Sequence, residues 1–383
     1  MQSIYLDHAA TTPVHPEVLE AMLPYFSRHY GNPSSLHAFG RETKIAISRA
    51  RDEIAQLLGC SPAEWMFTGS GTESDNTALF GAAARYGREG KRHMITTKVE
   101  HHAVLHACAQ LEEQGYDVTY LPVDTTGRVR LEDVEAALQP DTFLISVMYG
   151  NNEVGTLQPI RDIGALARER GILFHVDAVQ ALGSIDLKLS ELPVDLMSFS
   201  AHKLYGPKGV GGLYVSKAVT IAPYLFGGSQ ERKRRAGTEN VPGIVGFAKA
   251  VQLAVAGRSE KVDALEQKRE VFLTGLTEEL GPEGFVINGH LEERLPHIVN
   301  LSFPGTDTDT MLMNLDLNGI AASSGSACTS GSLELSHVLQ AMGLSDELTR
   351  SAIRFSFGNV NDLQQLQEAS RRIGTILRRV RNK

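Results

Sequence analysis

From residue 64 to about 215, short apolar runs rich in β-branched and aromatic residues alternate with amphipathic stretches. No other feature constrains the fold as much, because this is the pattern of βα units around a mostly parallel sheet, where each strand pair needs a crossover that a helix supplies. Strands are expected at 93–99, 117–123, 142–149, 172–177, 195–200 and 211–216, with helices at 74–86, 103–114, 131–138 and 160–170. After Gly237 a helical region from about 242 to 280 reads as a hinge helix. Beyond it, strands in HIVNLSF and SAIRFSF mix with helices at 307–317, 334–342 and 361–380, a smaller α+β domain. Ligands of open parallel sheets bind at the carboxyl ends of the strands, so the chemistry is expected there.

The 383 residues suffice for two or three domains at ~100–200 residues each. A net charge of -8 argues against a general nucleic-acid binder, which needs a broad basic field. The local exceptions are ERKRR at 231–235 and the tail RRIGTILRRVRNK, which suits a solvated final helix whose cations complement its dipole. The start, MQSIYLDHAATTP, shows no secretory pattern, and no apolar run approaches the ~18–20 residues of a membrane span. A cytoplasmic protein without membrane contact is expected. Cys60, Cys108 and Cys328 provide neither a disulfide framework nor a C-x-x-C pair, and no metal site is expected.

FHVDAVQ puts Asp177 at a strand end with Gln180 just beyond, and SFSAHKLYGPKGVGG puts Lys203 at the next strand end beside Ser200 and His202. Singly, such residues are commonly turn, cap or surface groups. Together, lysine and carboxylate are the pair a pyridoxal phosphate enzyme needs, one for the Schiff base and one for the pyridinium nitrogen. FTGSGTESDNTAL offers Gly71 and Thr72 before a helical pattern, where backbone N–H groups favour a phosphate. His101 in EHHAVLHAC could stack on a planar ring, and Asn152 in NNEVG could donate to its 3-oxygen, although a cap and a turn residue explain them equally. Cys328 stands in SSGSACTSGS among small and hydroxylic residues only, unlike Cys60 and Cys108, which suit ordinary packing.

The motifs YLDHAATTP, YGNPSS, FTGSGTESDN, EHHAVL, NNEVGTLQPI, HVDAVQALG, SAHKLYGPKGVGGLYV, RRAGTENVPG, SSGSACTSGS and IRFSFG, spread over residues 5 to 358, resemble the series of NifS/IscS-type cysteine desulfurases. These are fold-type I, class V aminotransferase-related enzymes. The resemblance implies an α/β fold with a large cofactor domain at 15–255, and a small domain formed by 1–14 and 256–383 that carries a mobile cysteine loop at about 321–333. It implies a pyridoxal phosphate enzyme converting L-cysteine to L-alanine, with the sulfur passing to Cys328 as a persulfide. The acceptor after Cys328 would serve iron–sulfur cluster assembly or tRNA thiolation. Lys203 would form the Schiff base, Asp177 would face the pyridinium nitrogen, Gln180 and Asn152 would lie near the phenolic oxygen, and His101 would stack and move protons. Gly71, Thr72, Ser200 and His202 would cradle the phosphate, with Thr238 arriving from the second subunit of a homodimer. Arg354, helped by Asn32, would clamp the substrate carboxylate. The rival readings are a selenocysteine lyase, an aminotransferase, a non-catalytic sulfur carrier, and a nucleotide-binding module built on GSGTES and GPKGVGG.

Overall fold

The computed structural model describes residues 3–325 and 335–381. Among them, seven strands form the main sheet in the spatial order Trp65–Thr68, Gly211–Val215, Leu196–Ser200, Leu173–Asp177, Thr142–Ser146, His93–Thr97 and Asp117–Leu121. Pairing is parallel from Asp117–Leu121 through Leu196–Ser200, as the alternation requires, while Gly211–Val215 lies antiparallel to both its neighbours. The sequence places Gly211–Val215 in the same βα series. It runs the other way because only a 3₁₀ turn, Ala201–Lys203, and a glycine-containing loop separate it from the preceding strand, with no helix to carry the chain back. Trp65–Thr68 is an edge strand absent from the expected set.

Every strand of the main sheet except the edge strand Asp117–Leu121 alternates between two buried faces. Ile95, Ile145, Phe174, Met197 and Tyr214 point to one core, which is closed by the helices Ala38–Leu58 and Val241–Val255. Met94, Leu144, Leu173, Leu196 and Leu213 point to the other, which is closed by the helices Gly71–Tyr86 and His102–Glu113. The region expected as one long hinge helix is two, Val241–Val255 and Arg258–Leu280, parted where Gly257 takes φ +60°, a conformation side chains other than hydrogen resist.

A second, antiparallel sheet is ordered Ala352–Ser356, Ile298–Ser302, Val286–Asn288. Phe272, Leu301, Phe303, Phe355 and Leu366 form its core with the helices Arg258–Leu280 and Leu363–Arg381. Ile4 and Leu6 join that core, and the short strand Ile4–Tyr5 pairs in parallel with Ile320–Ala321. The chain start therefore packs with its last third. Within ERKRR, Glu231 is buried and takes Arg51 bidentately at 2.7 and 2.6 Å, and Arg235 pairs with Glu73 at 2.8 Å, so much of that patch is spent on internal pairs. No helix is long and apolar enough to cross a membrane among the described residues.

Candidate active site

Because the parallel strands end on one edge of the sheet, residues far apart in sequence meet there. Asp177 closes the strand Leu173–Asp177, and Lys203 ends the 3₁₀ turn after Leu196–Ser200. Both line one cavity of about 350 Å³ that opens to solvent. Gly71 and Thr72 enter it from the start of the helix Gly71–Tyr86, and His101 from the cap of His102–Glu113. Asn152, Gln180, Ser200, His202 and Arg354 complete the set of predicted residues along its wall. Two others lie elsewhere: Asn32 is exposed, its Oδ1 accepting from the Ser34 N–H at 2.9 Å, and Thr238 is exposed outside regular structure. Cys328 falls outside the described residues, but Gly325, three positions before it, lines the cavity. Glu153 accepts a hydrogen bond from Ser336, on the far side of that segment, at 2.5 Å.

The Lys203 ammonium donates to the carbonyls of Ala9 at 2.6 Å and Ala10 at 2.8 Å, and Gln180 Nε2 donates to Ala9 O at 2.9 Å. Thr11 Oγ1 meets His202 Nδ1 at 3.1 Å, and Thr12 Oγ1 donates to His202 O at 2.9 Å. The N-terminal segment thus laces the lysine turn in place. Asp177 Oδ1 accepts from the Val179 N–H at 2.9 Å. Burial raises the Asp177 carboxyl above its usual range, while that N–H and Lys203 pull it back. His101 Nδ1 accepts from the Ala103 N–H at 3.1 Å, so its proton sits on Nε2. Burial first, then Lys203 and the neighbouring histidines His102, His337 and His106, lower its pKa to about 4, and it is neutral at pH 7.

The opposite wall carries Arg354 on the strand Ala352–Ser356. Its Nη2 donates to Asp7 Oδ1 at 2.8 Å and its Nη1 to the Asn152 carbonyl at 2.9 Å. Nε has no hydrogen-bond partner among the described residues. Arg354 is buried, so it keeps an unspent N–H beside a cavity. A buried N–H of this kind gains most from an anionic acceptor.

Sequence reasoning overlooked Asp7, the two alanine carbonyls, Asp75 and Glu100. YLDHAATTP carries the first signal, since Ala9 and Ala10 are small enough for their backbone to approach another side chain. Asp75 could have been read from spacing: it shares the stripe of Ala78, Leu79 and Ala82 on its helix, an apolar face where a carboxylate is out of place.

The cavity fits a phosphorylated pyridine. A Cβ on Gly71 would stand 2.7 Å from Val179 Cγ2, so only glycine leaves the helix start open for an anion there. A buried carboxylate at Asp177, an amine at Lys203 and a neutral ring at His101 meet the needs of the ring nitrogen, the aldehyde carbon and the ring face.

The Aminotransferase class-V family model matches residues 4–368. Cysteine desulfurase IscS of Dictyoglomus turgidum (strain DSM 6724 / Z-1310) is 48% identical over 357 residues, covering 93% of this chain and 90% of that one. The solved structure of a NifS-like protein superposes with TM-score 0.92 at 41% identity, covering 98% of this chain and 100% of that one. SspA in complex with cysteine superposes with TM-score 0.82 at 38% identity over 92% of this chain and 98% of its own. With its strand-end lysine and carboxylate facing a buried arginine across one cavity, and with relatives of this similarity over nearly its whole length, the chain belongs to the aminotransferase class-V family, among the cysteine desulfurases of NifS/IscS type.

Proposed function

We propose that this chain takes sulfur from L-cysteine, leaving L-alanine, and holds it on Cys328 as a persulfide for delivery to a second protein. The observation that carries the reading is the convergence of Lys203, Asp177 and Arg354 on one cavity. Family membership makes it a pyridoxal phosphate-dependent cysteine desulfurase. When bound, the cofactor supplies an electron sink for the α-carbon of the amino acid.

The residues of this chain do the rest. Asp177 holds a proton on the ring nitrogen, Lys203 anchors the cofactor, and Gly71, Thr72, Ser200 and His202 bind its phosphate. Gln180 and Asn152 orient the ring. His101, neutral with its proton on Nε2, stacks on the ring and can give or take a proton next to the substrate. Arg354 orients the substrate carboxylate through its unspent N–H groups. Cys328 follows Gly325 by three residues, within about 11 Å of chain reach from the cavity wall. An S–S bond forms between its sulfur and the substrate sulfur as the substrate's Cβ–S bond breaks. The carbon is reduced to the methyl of alanine while the sulfur is oxidised, and the thiol proton is balanced by the one the methyl gains, so no external oxidant is needed.

Two features support a homodimer in which Thr238 and Asn32 serve the site. Both are exposed and away from the cavity of their own chain. Leu23, Phe26, Leu36 and Phe39, around Asn32, are 55%, 61%, 91% and 52% exposed, an apolar patch that a second copy would cover. The reading keeps a large domain at 15–255 and a small domain of 1–14 with 256–383, and the separate apolar cores of the two sheets support it. An acceptor in iron–sulfur assembly or tRNA thiolation, and a cytoplasmic setting, complete the reading.

Cys328→Ser tests it. The variant should bind pyridoxal phosphate with unchanged visible absorbance and release no sulfide from cysteine above background. Undiminished sulfide release would reduce Cys328 to a bystander.

A further inference from the structure

Behind Asp177, on the sheet face covered by the helix Gly71–Tyr86, lies a polar stripe that the proposed chemistry leaves unused. Ser146, His175 and Ser198 occupy adjacent strands, with Ser146 opposite His175 and Ser198 opposite Asp177 in the register. His175 is fully buried, its Nδ1 2.8 Å from Ser146 Oγ and its Nε2 3.0 Å from Ser198 Oγ. Asp75 descends onto this stripe from the helix, 1% exposed, beside Ser198 and with Oδ1 3.6 Å from His175 Nε2. That Oδ1 has no hydrogen-bond partner among the described residues, and Asp75 lines the same cavity as Asp177.

Two buried carboxyl groups at one site do not both ionise, since each charge raises the cost of the other in a medium that solvates neither. Asp177 has the Val179 N–H and nearby Lys203 to support its charge, whereas Asp75 has a serine and an imidazole. We propose, on the reading that Asp177 serves the ring nitrogen, that Asp75 is its positioning residue: the protonated member of a buried carboxyl pair, which keeps a single negative charge at the nitrogen site. The other titratable groups bearing on Asp75 are Glu100, after the strand His93–Thr97, and His175 beneath it; Cys108, on the neighbouring helix His102–Glu113, faces Glu100. Burial holds His175 neutral, with a pKa near 3, and raises both Glu100 and Cys108, so none of them supplies a cation to Asp75. Burial and the charge of Asp177 both push the Asp75 carboxyl well above its usual range.

The test uses the holoenzyme. At pH 7, an infrared difference spectrum between the parent protein and Asp75→Asn should contain a protonated-carboxyl C=O band, lost in the variant. Asp75→Asn, neutral and isosteric, should change pyridoxal phosphate retention by less than about threefold, because no charge is removed from the site. Asp75→Ala removes no charge either but leaves a space that admits water beside Asp177, and should displace the pH profile of the bound cofactor's visible band by about one unit or more. Absence of the infrared band, a change in retention beyond threefold in Asp75→Asn, or an Asp75→Ala profile coincident with the parent would each overturn the proposal. Should the alanine variant fail to fold, the first two measurements decide. Asp177→Asn serves as the control: unaltered cofactor absorbance and retention there would sink the nitrogen-site reading itself, independently of the infrared result on Asp75.

Discussion

The two ends of the cavity handle buried charge in opposite ways. Around Asp177, carboxyl groups outnumber cations: burial raises Asp177, Asp75 and Glu100 alike, and the charge of Asp177 adds to the rise of Asp75 and Glu100. At Arg354 the charge is matched in place by Asp7 at 2.8 Å and the Asn152 carbonyl at 2.9 Å, with Nε unpartnered among the described residues. The contrast is one between a site kept short of cations, ready for a protonated ring, and a site whose cation is held rigid for an incoming anion. Buried charge without its counter-ion costs several kcal/mol, a cost that the Asp7 pair offsets at Arg354 and that a ring cation would offset at Asp177.

The comparison predicts where substitutions act. Asp177→Asn removes the anion that a ring cation would need, a loss of about 4 kcal/mol, so turnover should fall about 10³-fold with weaker cofactor retention. A near-normal rate would erase the distinction between the two ends. Glu100→Gln sharpens it through pH. Burial raises the Glu100 pKa to about 8 from 4.5, so the folded state retains a proton that the unfolded chain releases, and stability declines as pH rises through that interval. The glutamine variant lacks this slope and should gain on the order of 2–4 kcal/mol relative to the parent between pH 5 and pH 8.5, read from denaturant midpoints of the apoprotein. An equal difference at both pH values would show that Glu100 is ionised throughout. The smallest effect is expected at the other end: Arg354→Lys keeps the charge but loses the planar fork, lowering kcat/KM for cysteine about 10–100-fold while cofactor absorbance stays as it was. Altered cofactor absorbance in that variant would mean the two ends are not separable.

Much of the site was legible because its residues sit where local rules concentrate chemistry. Asp177 and Lys203 terminate apolar runs that announce buried strands, and Gly71 precedes a strongly helical pattern. What was illegible depends on partners remote in sequence. Asp7 meets Arg354 across 347 positions, and Ala9 meets Lys203 across 194, so no window of sequence contains either pair. The same holds for direction and continuity: Gly211–Val215 reads as one more strand whichever way it runs, and the helical stretch through Gly257 has the composition of a single helix.

The sequence by itself determined the βα alternation, the two-faced burial of the main strands and the strand-end positions of the lysine and the carboxylate. Periodicity and residue type act over a few positions and survive without knowledge of the rest of the chain. Tertiary structure alone decided which groups share a cavity and which of them can carry charge. Desolvation and Coulomb interaction depend on distance through space, and the first residues of the chain reach the site only because the fold lays them between its two sheets.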